Sequence, residues 1–261
     1  MLTNGIKILV HFDRSNNANY ILYRLKDGEW DEFIMKLTLG FRLCYIEDEK
    51  LNELASNANI TKSKFLERFI LPDEPIIKSG DFGELLSFFS VKENLENKGL
   101  VLTLPLKWQW KDNRNKAAPG ADGIIFHIPN AKKYSSDDLV VTIESKMKST
   151  YSKEGRIQDA IDGAAKDKLS RMAKTLNWME EKYAKEGQEE NRKIVARFKD
   201  PATYGTFKKV HKAIAILDIA FEADEIAKPI NNSESVSVII FSIQELQKAY
   251  EKTRVNMINS I

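Results

Sequence analysis

The apolar run at residues 139–146 constrains this chain most, because it ends in a carboxylate and an ammonium, Glu144 and Lys146. Its length and apolar content predict a buried strand. Side chains alternate between the two faces of a strand, so Glu144 and Lys146 are predicted to point to the same side. Burying charged groups costs free energy unless they are paired. The end of this strand is therefore the first candidate for a functional site.

A second carboxylate begins another apolar segment. Asp122 follows Gly120-Ala121 and opens a predicted strand at residues 122–128. The polar segment 129–138 predicts a hairpin loop between this strand and the run that ends at Lys146. Converging carboxylates beside a lysine favour a metal-dependent phosphodiesterase, because that reaction needs a cation to hold the phosphate oxygen and to activate water.

The composition is that of an ordinary soluble protein and sets limits on function. The 261 residues are 43% hydrophobic, which is enough for a core of normal size. Forty basic and 38 acidic residues give a formal net charge of +2, so any DNA-binding surface must be a local patch or be shared with a partner. Cys44 is the only cysteine, which excludes intrachain disulfides and cysteine zinc clusters.

The chain is expected to reside in the cytoplasm. Its first residues lack a basic segment followed by an apolar stretch, as a signal peptide would have. No apolar run approaches the length of a membrane span, so no membrane is expected among its partners.

The order of predicted elements indicates a mixed α/β core after an N-terminal accessory region. The break Pro72-Asp73-Glu74-Pro75 divides an accessory or docking region, residues 1–75, from a core, residues 76–261. The accessory region is predicted to contain strands at 6–12 and 20–25 and helices at 29–55 and 61–71. The core is predicted to contain a helix at 81–96, strands at 100–108, 122–128 and 139–146, a helix at 156–185, a short helix at 189–199, strands at 213–221 and 235–242, and a closing helix at 244–257.

This order resembles the PD-(D/E)xK nuclease superfamily: a helix that carries Glu84, a strand opened by Asp122, and a strand that ends in Glu144-Ser145-Lys146. The resemblance implies a restriction-endonuclease-like mixed central sheet flanked by helices. It also implies a Mg²⁺ site, with Mn²⁺ as an alternative, held by Asp122, Glu144 and the backbone carbonyl of Ser145, and completed by Glu84. Lys146 would orient the attacking water or stabilise the charge that develops on the phosphate.

Each of these residues also has a simpler structural interpretation. A Glu-x-Lys pair at a strand end is common on solvated edges, and Asp122 between two glycines fits a turn. Asp81-x-x-Glu84 has the spacing of a capping box, in which Glu84 would bind a backbone N–H at the start of its helix. The functional interpretation rests on the combination, because all four residues occur in the superfamily's order.

Three basic residues after the candidate strand predict a nucleic-acid contact. Lys148, Lys153 and Arg156 lie where the strand meets the long helix, within reach of a DNA backbone bound at the site. A solvated loop is an equally good interpretation of the same charges.

Three motifs extend the resemblance to one family. Gly80-Asp81-Phe82-Gly83-Glu84, Gly120-Ala121-Asp122-Gly123 and Ile143-Glu144-Ser145-Lys146, in this order, resemble the HamA family, the small subunits of the Hachiman anti-phage system. The resemblance implies a Mg²⁺-dependent DNA nuclease that works with a superfamily-2 helicase of the HamB type and stays inactive until the helicase engages DNA. The sequence has no P-loop, which fits a partner that supplies ATP-driven motion.

Two other functions remain open from the sequence. The chain could be a catalytically inactive adaptor that keeps the fold and docks a helicase, although the intact Asp122, Glu144 and Lys146 argue against this. It could also be a stand-alone restriction or resolvase-type endonuclease, which the long N-terminal region without chemical motifs disfavours. Because that region combines apolar helices with mixed charge, it is predicted to dock the helicase and not DNA.

Overall fold

The computed structural model describes residues 5–130, 132–199 and 205–261. Its strands are β1 (Phe12–Asn16), β2 (Ile21–Leu25), β3 (Leu102–Thr103), β4 (Gly123–His127), β5 (Leu139–Lys148), β6 (Lys208–Asp218) and β7 (Ser237–Ile243). They form one mixed sheet in the order β1-β2-β7-β6-β5-β4-β3. The four central strands β2, β7, β6 and β5 are parallel, and the remaining strands pair antiparallel at the two edges.

Helices surround this sheet on both faces. They are α1 (Trp30–Tyr45), α2 (Asp48–Asn57), α3 (Lys62–Phe65), α4 (Pro75–Glu96), α5 (Arg156–Lys166), α6 (Met172–Lys185), α7 (Glu189–Arg197), α8 (Ile219–Ile226) and α9 (Leu246–Asn259). Two π-helical turns, Leu66–Ile70 and Asp167–Arg171, continue α3 and join α5 to α6. The predicted α/β fold, a mixed central sheet flanked by helices, is confirmed.

The two faces of the sheet have separate cores. On one face, α1, α4 and α9 pack against residues such as Ile143, Ile216 and Phe241. On the other face, α5 packs on β6 and β7, while α6 and α7 cover β4 and β5. Strand β6 is apolar at almost every position from 213 to 217 because it is buried on both faces, as central parallel strands are.

The small residues of β6 determine how closely α5 approaches the site. Ala213 and Ala215 lie in register beside Glu144 and Lys146 of β5. They belong to the same core as Ala160 and Ala164 of α5. Because alanine side chains are small, the helix can approach the sheet closely, and α5 lies directly over the charged end of β5.

Residues 5–75 are part of the same sheet and core. Strand β2 pairs with β7, and the α1 residues Phe33, Leu37 and Phe41 pack in the core that also contains Phe82 and Phe89 of α4. The division of function at residue 75 remains a prediction.

Several predicted element boundaries are wrong. Only Leu102–Thr103 of the predicted strand at 100–108 pairs as a strand, because Pro105 lacks the N–H that a ladder needs, and Lys107–Trp110 forms a 3₁₀ turn. The predicted strand at 213–221 begins earlier and ends at Asp218, whose side chain accepts the N–H of Ala220 and starts α8.

The predicted helix at 29–55 is two helices, and the one at 156–185 is interrupted by the π-helical turn. Across the described ranges, no helix combines the length and apolar character needed to cross a bilayer.

Candidate functional site

The candidate site lies where β4 and β5 separate. Their pairing ends at Gly123 and Ile143, so β5 continues to Lys148 without β4 beside it. Asp122 takes the place of the missing strand: its Oδ2 accepts the backbone N–H of Ser145 at 2.8 Å. The N–H and C=O of one strand residue point to the same side, so the Ser145 carbonyl also points toward Asp122.

The turn before Asp122 is held by helix α6. Gly120 has a φ of +91°, and a Cβ there would overlap the Thr175 hydroxyl. That hydroxyl accepts the N–H of Ala121 at 2.9 Å and donates to the Arg171 carbonyl at 2.9 Å. The turn chemistry noted in the sequence therefore positions the Asp122 carboxylate beside the strand end.

Glu144 and Lys146 lie on the same face of β5, as the alternation of strand side chains predicts. The Lys146 ammonium donates to Glu144 Oε1 at 2.6 Å. Glu144 is 2% exposed, whereas the Lys146 side chain is 35% exposed. A Cβ on Gly163 of α5 would overlap the Glu144 carboxylate, so a glycine is needed where helix and carboxylate meet. The pair is thus a buried anion beside a cation that reaches solvent.

Two further charged residues complete this cluster, and sequence reasoning missed both. Arg171 donates to Glu144 Oε2 and to the Gly163 carbonyl, the latter at 2.9 Å. Its Nε donates to Asp167 Oδ1 at 2.5 Å. Both residues belong to the π-helical turn between α5 and α6, a local geometry that often occurs at functional sites. Their i, i+4 spacing is the only sequence signal, and it fits any surface ion pair.

The pKa shifts follow from burial and crowding of carboxylates. Burial raises the pKa of Glu144, the Asp122 charge raises it further, and both outweigh the lowering by Lys146 and Arg171. Burial also raises the pKa of Asp167 to about 6. Burial alone would lower the pKa of Lys146, but the charge and hydrogen bond of Glu144 outweigh it, so that pKa is raised.

Glu84 approaches Asp122 from the other face of the sheet. The capping-box interpretation is wrong, because α4 begins at Pro75 and Glu84 lies in its middle. Its Oε2 accepts from Trp108 Nε1 at 3.1 Å and pairs with Lys107 Nζ at 3.0 Å. Lys107 also donates to the Ala121 carbonyl at 2.9 Å. Burial, opposed by Lys107 and reinforced by Asp122, raises the pKa of Glu84 to about 8.

The three basic residues predicted to contact nucleic acid have different environments. Lys148 is 4% exposed and pairs with Glu225 at 2.8 Å, so its ammonium is not available to a phosphate in this conformation. The reason is that β5 continues under α5 and α8, and these helices cover Lys148. Lys153 is exposed, and Arg156 is partly exposed and pairs with Glu154 and Asp159.

The donors around Asp122 suit a hard divalent cation. Carboxylate oxygens of Asp122 and Glu144 and the Ser145 carbonyl converge at one strand end, and oxygen is the ligand type that Mg²⁺ and Mn²⁺ prefer. The excess of carboxylates over nearby cations also favours binding of a divalent ion. The residues present therefore fit the cation that the sequence resemblance implies.

The mixed sheet, the helices on both faces and the charged end of β5 define a restriction-endonuclease-like α/β protein. The family model described as HamA matches residues 6–256 of the 261, and the chain therefore belongs to the HamA family. Membership makes it a component of the Hachiman anti-phage defence system. No curated protein matches the chain.

Proposed function

We propose that this chain is a metal-dependent deoxyribonuclease and the effector subunit of a helicase–nuclease defence complex. The observation that carries the proposal is the convergence of Asp122, Glu144 and Lys146 at the point where β4 and β5 separate. Asp122, Glu144 and the Ser145 carbonyl would hold Mg²⁺ or Mn²⁺. When bound, the ion supplies charge neutralisation of a phosphate oxygen and acidification of a water molecule.

The raised pKa of Lys146 supports a role as a hydrogen-bond donor. An ammonium that stays protonated at neutral pH donates hydrogen bonds and does not accept a proton. Because its side chain is partly exposed, its Nζ can turn from Glu144 toward a bound phosphate. We assign Lys146 the stabilisation of negative charge that develops on the phosphate oxygens.

Glu84 is better placed to position the site than to bind the cation. Its Oε2 already accepts from Trp108 Nε1 and pairs with Lys107 Nζ within the protein. Its contact with Lys107 fixes the ammonium that holds the Ala121 carbonyl, next to Asp122. The ligand role implied by the sequence resemblance is retained as the alternative.

The proposed partners are DNA and a superfamily-2 helicase subunit of the HamB type. Family membership supports the helicase, and the formal charge of +2 supports sharing the DNA contact with a second subunit. Lys153 and Arg156, on the loop and helix start after β5, are the remaining candidates for phosphate contact.

The test is cleavage of plasmid DNA by the purified chain, alone and with its co-expressed helicase, in Mg²⁺ and in EDTA. Lys146→Ala and Glu144→Gln are each expected to lower the Mg²⁺-dependent rate by about a hundredfold or more. The matched control is Lys193→Ala, which removes an exposed ammonium on α7 and should leave the rate unchanged. Wild-type rates in both site variants, or no cleavage by the complex, would refute the nuclease assignment.

A further inference from the structure

The Arg171 guanidinium donates to Glu144 Oε2, one of the two carboxylate oxygens that could bind a cation. We propose that Arg171 is the built-in counter-ion of Glu144, that a divalent cation must displace it, and that Arg171 and Asp167 together set the affinity for that cation. This inference rests on the proposed function, since it concerns the same metal site.

Glu144 cannot move to meet an incoming ion. Its side chain is buried, and Gly163 leaves no space between its carboxylate and α5. Both of its oxygens are occupied, Oε1 by the Lys146 ammonium and Oε2 by the Arg171 guanidinium. Any cation that binds Glu144 is therefore placed beside the positive charge of one of these two donors and repelled by it.

Arg171 is the donor whose departure leaves a further buried carboxylate without its counter-ion. Its side chain is 26% exposed and can turn toward solvent. Its second carboxylate partner, Asp167, is 1% exposed, and Asp167 Oδ2 has no hydrogen-bond partner within the described ranges. A buried carboxylate oxygen without a partner is costly, and a divalent cation beside it would satisfy it.

Displacement of Arg171 also makes the cluster more negative, which favours a bound cation. Three carboxylates, those of Asp122, Glu144 and Asp167, face two cations, Lys146 and Arg171, so the cluster carries one net negative charge. Displacement of Arg171 raises this to two, which matches one divalent ion. The cost of moving Arg171 lowers the affinity for the ion, whereas the Asp167 charge raises it.

The experiment is titration of Mn²⁺ into the purified full-length chain, followed by calorimetry. Arg171→Gln is expected to bind Mn²⁺ about tenfold or more tightly than the wild type, and Asp167→Asn about tenfold more weakly. Arg171→Lys keeps a positive charge and should remain within about threefold of the wild type. Arg192→Gln removes an exposed guanidinium on α7 and should leave the Mn²⁺ affinity unchanged.

The possible outcomes distinguish failure of this inference from failure of the proposed metal site. If neither the wild type nor Arg171→Gln binds Mn²⁺, the proposed metal site and the inference both fail. If Glu144→Gln abolishes binding while Arg171→Gln leaves the affinity unchanged, only the inference fails. Equal tightening by Arg171→Lys and Arg171→Gln would also overturn it, because charge would then not be the cause.

If Arg171→Gln does not fold, the fall in affinity of Asp167→Asn still tests the inference. A role of Arg171 and Asp167 in folding alone predicts no change of Mn²⁺ affinity in Asp167→Asn. A second readout is the melting temperature in EDTA, which Arg171→Gln should lower and Mn²⁺ should restore, because the ion replaces the missing counter-ion.

Discussion

Gly163 shows how strongly one small residue can determine the position of a charged one. Helix α5 lies directly against the Glu144 carboxylate at this glycine, and the carboxylate is buried at the end of β5. The same close approach brings the Gly163 carbonyl to the Arg171 guanidinium. The glycine thus helps to place both the proposed metal ligand and its counter-ion.

Replacing Gly163 with alanine should therefore disable the site. The added methyl would displace the carboxylate, so we expect Mn²⁺ binding to be lost and DNA cleavage to fall by about a hundredfold or more. Overpacking of this kind should also cost about 1–3 kcal/mol of unfolding free energy. Calorimetry, cleavage assays and denaturant unfolding measure the three effects.

Gly80→Ala is the matched control for this substitution. Gly80 lies in α4 with open space around its Cα, so an alanine there should leave cation binding unchanged. It should stabilise the helix by about 0.5–1 kcal/mol. Normal Mn²⁺ binding by the Gly163→Ala protein would show that the Glu144 position is not what the cation requires.

The sequence predicted part of this site, and chain geometry explains which part. Strand alternation placed Glu144 and Lys146 on one face, and the structure brings Asp122 beside them. Arg171 and Lys107 were missed because each reaches the site from a π-helical or 3₁₀ turn. Neither turn has a hydrophobic period that a sequence displays.

Among the elements, the start of α5 depends on a carboxylate from α8. Glu225 is fully buried, and its Oε2 accepts the N–H groups of Arg156 and Ile157 in the first turn of α5. Its Oε1 accepts from Lys148 and Lys228. One side chain therefore joins α8, α5 and the end of β5.

This arrangement predicts a pH-dependent stability. Burial would raise the pKa of Glu225, but hydrogen bonds from Lys148 and Lys228 outweigh it, and the pKa lies below the ordinary value of 4.5. A lowered folded-state pKa stabilises the fold above the unfolded-state pKa, and this contribution is lost as the pH falls through the folded-state value. Glu225→Gln should therefore cost about 3 kcal/mol of unfolding free energy at pH 7, since it breaks a buried ion pair.

The measurement is urea unfolding of both proteins between pH 3 and pH 7. The difference in unfolding free energy should be largest near neutral pH. It should shrink as the pH falls below 4.5, where the carboxylate of the unfolded chain becomes protonated, and toward the lower folded-state pKa. Glu189→Gln, which breaks an exposed pair with Arg192, is the control and should show little effect at any pH. A difference that does not change with pH would exclude the ionic explanation.

At the scale of the whole molecule, the N-terminal segment cannot be removed without damage to the rest. Strand β2 covers the edge of β7, and Phe33, Leu37 and Phe41 of α1 are buried with α4. No local sequence pattern indicates this, because the β2–β7 pair joins residues more than 200 positions apart. Docking by residues 1–75 must therefore be tested with surface substitutions and not with a deletion.

The proposed docking surface is the exposed side of α1. Met35 and Leu39 are each 59% exposed and lie one turn apart. They line one groove with Gly28, Asp31, Glu32 and Lys36. An apolar centre with a rim of mixed charge suits a protein partner better than a DNA backbone, which would select a basic surface.

Leu39→Glu should therefore weaken binding of the proposed helicase subunit while leaving the isolated chain folded and able to bind Mn²⁺. A charge at the centre of an apolar contact is expected to lower the affinity by about a hundredfold, because the carboxylate must lose its water on docking. Affinity is measured by co-purification and by titration of the helicase. Val101→Glu is the matched control, since Val101 is also exposed, at 74% against 59% for Leu39, but lies beside β3, an edge strand of the sheet. Equal loss of binding in both variants, or none in either, would place the docking surface elsewhere on the molecule.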